Sequence, residues 1–307
     1  MFIRVGFEAK VDCPNPTPML LALRLDPAGD RKVVGSDAVR LVPEVPLEEY
    51  YDTFGNRFGR VTMPVGQTML WSDCIVEDSG ASDVYDWQAT QHEIVDLPKE
   101  TLQFLMPSRY CESDSLMATA WGLFGNTPPG WARAQEISNW VHNNVLFGYP
   151  FGRPSKTAVD VFREGTGVCR DFAHLFITLC RAMNIPARYV SGYLSDIGAN
   201  PDGAGDFCAW AEVYLGGRWF AFDARHNTPR IGRIPMVRGR DAADVAMITA
   251  FGFYDLSYLK VWTEPVDETI PEQQFDDLLA ERPDVEALVL NVIPDRTIRD
   301  SFVPGPT

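Results

Sequence analysis

The sequence predicts an α+β protein: an N-terminal antiparallel β-sandwich-like domain over residues 1–105, a second domain over 106–264 in which helices lead into paired strands, and a C-terminal extension over 265–307. Three observations carry that prediction. Short alternating apolar runs separated by turn clusters fill the first part of the chain, helical spacing takes over after residue 105, and a glycine-glycine hairpin follows a glycine-rich helix start. A chain of 307 residues also exceeds the usual single-domain size.

In order, "FIRVGFEAKV", "MLLALRL", "VRLVPEV", "RFGRVTMPV" and "TMLWSDCIV" read as strands, and "CPNPTP", "DPAGD" and "TFGN" as the turns between them. "SLMATAWGLF" and "PPGWARAQEISNWVHNNV" read as helices. The second has Pro129 near its start and places Trp131, Ala134, Ile137, Val141 and Val145 on one face. Beyond residue 264 the pattern gives a short helix and a further strand, and "FVPGPT" reads as a loose end.

A formal net charge of -15 argues against a nucleic-acid or anionic-membrane surface, because phosphate binding rests on a basic footprint. "MFIRVGFEAKVDCPNP" lacks an apolar core of signal-peptide length, and "TPMLLALRL" is too short and interrupted to span a bilayer, so the expected location is cytoplasmic. The 6 cysteines (13, 74, 111, 169, 180, 208) form no CxxC pair and no regular framework, which fits reduced thiols. A reactive one must be distinguished by its neighbourhood.

"REGTGVCRDFAHLFITLCRAMNIPARYVSGYL" does so for Cys169. Phe172, Leu175, Phe176, Leu179, Cys180 and Met183 recur at helical spacing, which puts Cys169 in the first turn of a buried helix behind Gly165 and Gly167. Unpaired backbone N–H groups and the positive end of the helix dipole stabilise a thiolate there, and the thiolate is the nucleophile. Arg170 and Asp171 are placed for first-turn capping contacts. Cys180 belongs to the core, and His174, rotated roughly 140° around the helix from Cys169, reads as a structural imidazole.

In "DFCAWAEVYLGGRWFAFDARHN" the Gly216-Gly217 loop suits a primed hairpin turn. Leu215 then opposes Arg218, Val213 opposes Phe220, and Trp210 opposes Asp223. Alternation places Cys208, Trp210, Glu212, Tyr214, Trp219, Ala221 and Asp223 on one face, over which a nucleophile meeting Asp223 is expected to lie. Phe207, Val213, Leu215, Phe220 and Phe222 take the other face. Trp210 is expected to pack, and Glu212 to be solvated or paired with an arginine. Arg225, Arg230 and Arg233 can attract a substrate carboxylate or pair with the protein's acids. His142 and His92 show no partner in the sequence.

These stretches resemble the transglutaminase-like superfamily, which includes papain-like cysteine proteases, and most of all its bacterial members with an N-terminal β-domain. The resemblance implies a papain/transglutaminase-like cysteine protease core in which Cys169 is the nucleophile and Asp223 the acid that orients a histidine. The family's histidine precedes "AW"; here that place is Cys208. Three resolutions stand side by side. His226 supplies the base, provided that the strand ends or bends at "ARHN", since three residues past Asp223 on a continued strand it points to the opposite face. Alternatively the domain is a catalytically silent module that binds a protein or peptide. In the third, Cys169 and Cys208 face each other and form a disulfide or, with Asp223 or His226, a metal site. The expected function is acyl transfer or amide hydrolysis of a protein or peptide substrate through a Cys169 acyl-enzyme, with no cofactor.

Overall fold

The computed structural model describes residues 1–28, 31–199 and 205–288. The first six strands are β1 (Phe2–Cys13), β2 (Thr17–Leu21), β3 (Val33–Val42), β4 (Glu48–Tyr51), β5 (Arg57–Met63) and β6 (Gly66–Glu77). Short 3-10 turns at Ile94–Asp96 and Lys99–Leu105 lead into α1 (Met117–Phe124) and α2 (Trp131–Asn144). Then come β7 (Leu146–Phe147), α3 (Ala158–Glu164), β8 (Thr166–Gly167), α4 (Cys169–Ala182), β9 (Ala187–Leu194), β10 (Cys208–Leu215), β11 (Arg218–Phe222), β12 (Arg233–Gly239), β13 (Ile248–Ala250), β14 (Asp255–Pro265) and α5 (Phe275–Leu278).

Two four-stranded antiparallel sheets, in the orders β14-β1-β6-β3 and β13-β2-β5-β4, are built around the N-terminal strands. Alternation along β1 buries Ile3, Val5, Phe7, Ala9 and Val11, which a strand with one face on a core requires. Both sheets recruit a strand from far along the chain. β14 pairs with β1 from Ile3↔Pro265 to Asp12↔Asp255, and β13 pairs with β2, so strand pairing crosses the boundaries expected at residues 105 and 264. Gly6 lets Trp262 of β14 lie on β1: a Cβ there would come within 2.4 Å of the indole. The expected short C-terminal helix is α5. Leu288 bridges Leu259, whereas the rest of the expected terminal strand and the "FVPGPT" end lie outside the described residues.

The third four-stranded sheet runs β11-β10-β9-β12, antiparallel throughout. The hairpin register is Leu215↔Arg218 and Val213↔Phe220. The ladder ends at Ala211↔Phe222, so Asp223 steps off the strand instead of pairing with Trp210. α4 packs its apolar stripe on the Val213, Phe220, Phe222 face, with the Phe176 and Phe222 rings stacked 5.5 Å apart. The helix body therefore lies on the apolar face of the hairpin, as part of the core. Only its N-terminal end reaches round to Cys208, Trp210 and Val190.

Candidate active site

Local sequence places Cys169. Gly165, at φ +63, closes α3 in the left-handed region, and β7 and β8 pair in parallel through Leu146↔Thr166 and Phe147↔Gly167. Gly167 has no room for a side chain, since a Cβ would lie 2.6 Å from Asp171 Cβ. The Val168 amide donates to the Asp171 carboxylate at 3.1 Å, and Arg170 donates to the same carboxylate at 2.8 Å and to the Arg153 carbonyl at 2.7 Å. These are the first-turn capping contacts the sequence expects. They leave the Cys169 thiol half-buried at the helix tip.

Cys208, the first residue of β10, is 5% exposed and packs with Trp210 and Val190 against Cys169. Hydrogen bonding to the Cys208 thiol pulls the Cys169 thiol below its ordinary value, against burial and the Asp206 charge and with help from Arg225 and the Ala209 amide. The same contact, with burial and Asp223, pushes the Cys208 thiol well up. The two shifts run in opposite directions, down at Cys169 and up at Cys208. Burial pushes the other four thiols up, Cys74 and Cys111 to about 12.

Asp223 and His226 meet because the chain turns at "ARHN". The Asp223 carboxylate accepts the Arg225 amide at 3.1 Å and the His226 amide at 3.2 Å, while its other oxygen takes the His226 imidazole Nδ1–H at 2.8 Å. Asn227 follows at φ 51, its amide on the Asp223 carbonyl at 2.7 Å. The parity objection to His226 therefore falls away: the strand ends at Phe222 and a side-chain-stapled turn carries the imidazole back to Asp223. Burial disfavours a charged Asp223, yet Arg233, whose guanidinium lies 3.1 Å away, and His226 hold its carboxyl far below the usual carboxylate range. With Nδ1–H committed to Asp223, Nε2 is the ring nitrogen left for proton transfer.

α2 holds this turn from behind. Ser138 donates to the Asn227 side-chain carbonyl at 2.8 Å, Gln135 donates to it at 3.2 Å, and Asn227 donates to Asn139 at 2.9 Å. His142 Nδ1 reaches the Ala224 and Arg225 carbonyls at 3.2 and 2.9 Å. His142 therefore has partners that the sequence did not reveal, as does His92, whose Nε2 accepts the Gly217 amide at 2.9 Å and secures the hairpin turn. The local signal for the clamp is a polar row on α2, Gln135, Ser138, Asn139 and His142, that flanks its apolar stripe.

Two cavities meet at Cys208. One, of about 420 Å³, is mostly apolar: Cys169 and Cys208 open onto it beside Phe7, Leu23, Met247 and Leu259. The other, of about 230 Å³, is polar and brings together Asp206, Arg225, His226, Arg230 and Glu264. Tyr149 and Asp206 line both and are hydrogen-bonded to each other, with burial raising Asp206 to about 6. Sequence reading had singled out neither.

Other residues resolve into structure. Arg230 pairs with Asp196 at 2.8 Å and Arg233 bridges Asp223 and Asp83, while Arg225 lies 3.6 Å over the Phe147 ring. Glu212 is paired with Arg188 and Arg238, and Trp210 is buried beneath Arg233. His174 is fully buried, accepts the Ala242 amide at 3.1 Å and stacks on Tyr110, and burial pushes its imidazole well down, as a structural role requires.

Ligand atoms of Cys208, Asp223 and His226 lie within 4.8 Å of one another, a set that fits metal ligation by residue type. The Asp223 oxygens are already taken up by two amides, the His226 imidazole and Arg233. Within this set that leaves a thiol and one imidazole nitrogen.

Residues 118–224 match the family model described as the transglutaminase-like superfamily. A solved structure of a candidate cysteine protease from Cytophaga hutchinsonii is 29% identical, with a TM-score of 0.77 over 88% of this chain and 92% of that one. An uncharacterized protein of Mycobacterium leprae is 25% identical over 236 residues, spanning 73% of this chain and 82% of the relative. The periplasmic domain of TgpA from Pseudomonas aeruginosa is 16% identical, with a TM-score of 0.35 over 73% of this chain and 88% of that one. Residues 118–224, with a thiol-bearing helix packed on an antiparallel sheet, thus form a transglutaminase-like core.

Proposed function

We propose that the protein is a thiol-dependent amide hydrolase or acyltransferase acting on a protein or peptide. The observation that carries this reading is the hydrogen-bonded pair His226–Asp223 standing beside Cys208, which in turn contacts Cys169. The Cys169 thiolate attacks a carboxamide carbon, and the C–N bond breaks as protonated His226 gives the leaving amine its proton. Water or an amine then attacks the thioester while the neutral Nε2 takes its proton. Asp223 fixes the tautomer and offsets the imidazolium charge. Cys208 stands where the family's histidine stands but serves as a hydrogen-bond donor to the thiolate, since a thiol with a raised pKa is a poor proton shuttle at neutral pH. The apolar cavity beside Cys169 suits a large apolar side chain on the acyl partner, and the polar cavity beside His226 suits the departing or incoming amine. Six free thiols favour a reducing compartment, in keeping with a cytoplasmic location.

The test is turnover of peptide amides bearing large apolar residues, followed by amine release. Wild-type protein is expected to turn over, Cys169→Ala to be inert, and His226→Gln to lose roughly 10²–10⁴-fold in kcat. Cys208→His is expected to bring no gain while His226 is still required. Turnover that survives Cys169→Ala, or wild-type protein inert across the panel, would remove the reading.

A further inference from the structure

The position that holds the family's histidine holds a sulfur here, and that sulfur packs against the nucleophile at the mouth of one shared cavity. We propose that Cys169 and Cys208 form a reversible peroxide-reactive dithiol, a modification site that closes and reopens the nucleophile.

Three structural features support it. Cys169 is half-buried and opens onto a cavity of about 420 Å³, large enough to admit a peroxide, whereas Cys208 is 5% exposed and is reached from Cys169 more easily than from solvent. Cys169 is the first residue of a 14-residue helix, where the dipole and open amides favour the thiolate that peroxide attacks. Of the six thiols, Cys169 and Cys208 are the two that line this cavity, so Cys208 is the thiol placed to resolve an oxidised Cys169. The lowered Cys169 thiol agrees with this placement.

The chemistry balances. The Cys169 thiolate attacks one peroxide oxygen, the O–O bond breaks, an S–O bond forms, and hydroxide leaves: sulfur is oxidised to sulfenic acid and the peroxide is reduced. Cys208 then gives up its proton as its sulfur attacks the sulfenic sulfur. The S–O bond breaks, water leaves, and a disulfide remains. The released hydroxide takes up the proton that Cys169 lost on ionising, which makes the second water. An external dithiol returns both cysteines to thiols by exchange. This inference stands apart from amide turnover, because it reads the sulfurs alone.

The experiment treats the reduced full chain with hydrogen peroxide, blocks the remaining thiols with iodoacetamide and maps cysteine peptides by mass spectrometry. The expected product links the Cys169 and Cys208 peptides, disappears with dithiothreitol, and leaves the other four cysteines protected until denaturant is added. In Cys208→Ser, Cys169 is expected to run on to sulfinic acid that dithiothreitol does not reverse. Sulfinic acid on Cys169 of the wild type with Cys208 still alkylatable, a cross-link through any other cysteine, or no reaction with peroxide would each overturn the proposal. Because the wild-type map decides by itself, a variant that fails to fold does not blunt it.

Discussion

Cys169 is the thiol that the fold activates, and the cause is neighbourhood. The same residue type is pushed up by burial at Cys74, Cys111 and Cys180, at Cys111 in spite of hydrogen bonds with Thr178 and Ser108. At Cys169 a donor thiol, with help from Arg225 and the Ala209 amide, outweighs burial and the nearby Asp206 charge. Removing each influence gives opposite signs. Cys208→Ala deletes the donor, so the midpoint of the pH profile for Cys169 alkylation is expected to move up. Asp206→Asn deletes the negative charge, and the same midpoint is expected to move down. Alkylation by iodoacetamide across the pH range, with Cys169→Ser as the blank, measures both. A shift of the same sign in the two variants would mean that the thiol senses loosened packing and not these two groups.

At the scale of the element, the decisive piece is the turn from Asp223 to Asn227. A strand alternates faces, so His226 could not share a face with Asp223 had β11 continued. Three features end the strand: the Asp223 carboxylate captures the next amides, Asn227 adopts φ 51, and α2 grips the Asn227 amide group. Asn227→Ala removes the side-chain bonds and forces an alanine into the left-handed region, an expected loss of ~1–3 kcal/mol in urea unfolding. Asn227→Gly keeps the backbone freedom and is expected to lose less. Both variants should lower turnover more than Cys169 alkylation, because the turn positions the imidazole and leaves the thiol alone. Equal stability of the two would show that backbone strain contributes nothing there.

For the whole molecule, β13 and β14 matter most, since they weave the end of the second half of the chain into the N-terminal sheets. Phe7, Leu23 and Leu259 then wall the cavity beside Cys169, and Trp262 and Glu264 wall the one beside His226. Arg233 adds a second tie, spanning Asp223 of the site and Asp83 after β6. This tie has a pH signature. Asp223 has a folded pKa far below its unfolded value, so its contribution to stability is full above the ordinary carboxylate pKa of about 3.9 and is lost as pH falls below that toward the folded value. Urea midpoints are expected to fall between neutral pH and pH of about 3, and the fall should be smaller in Asp223→Asn. That variant should already be weaker at neutral pH, because Arg233 loses a buried partner. A midpoint that falls equally in both proteins would place the acid sensitivity elsewhere.

The sequence by itself determined what local rules govern. Period-two runs made β1, β5 and β6, helical spacing made α2 and α4, and the Gly216-Gly217 loop set the hairpin register through Val213↔Phe220. The glycine-rich approach likewise put Cys169 at a helix start, because capping and left-handed glycine are decided within a few residues. Only the tertiary structure decided which face of the sheet α4 covers, that His226 returns to Asp223, and that His142, Asn139 and Ser138 brace the turn. The bracing bonds join groups 80 or more positions apart, such as Ser138 and Asn227, whose separation in sequence is 89. Side-chain pairing over such distances leaves no periodic trace, and the same holds for β14 closing on β1.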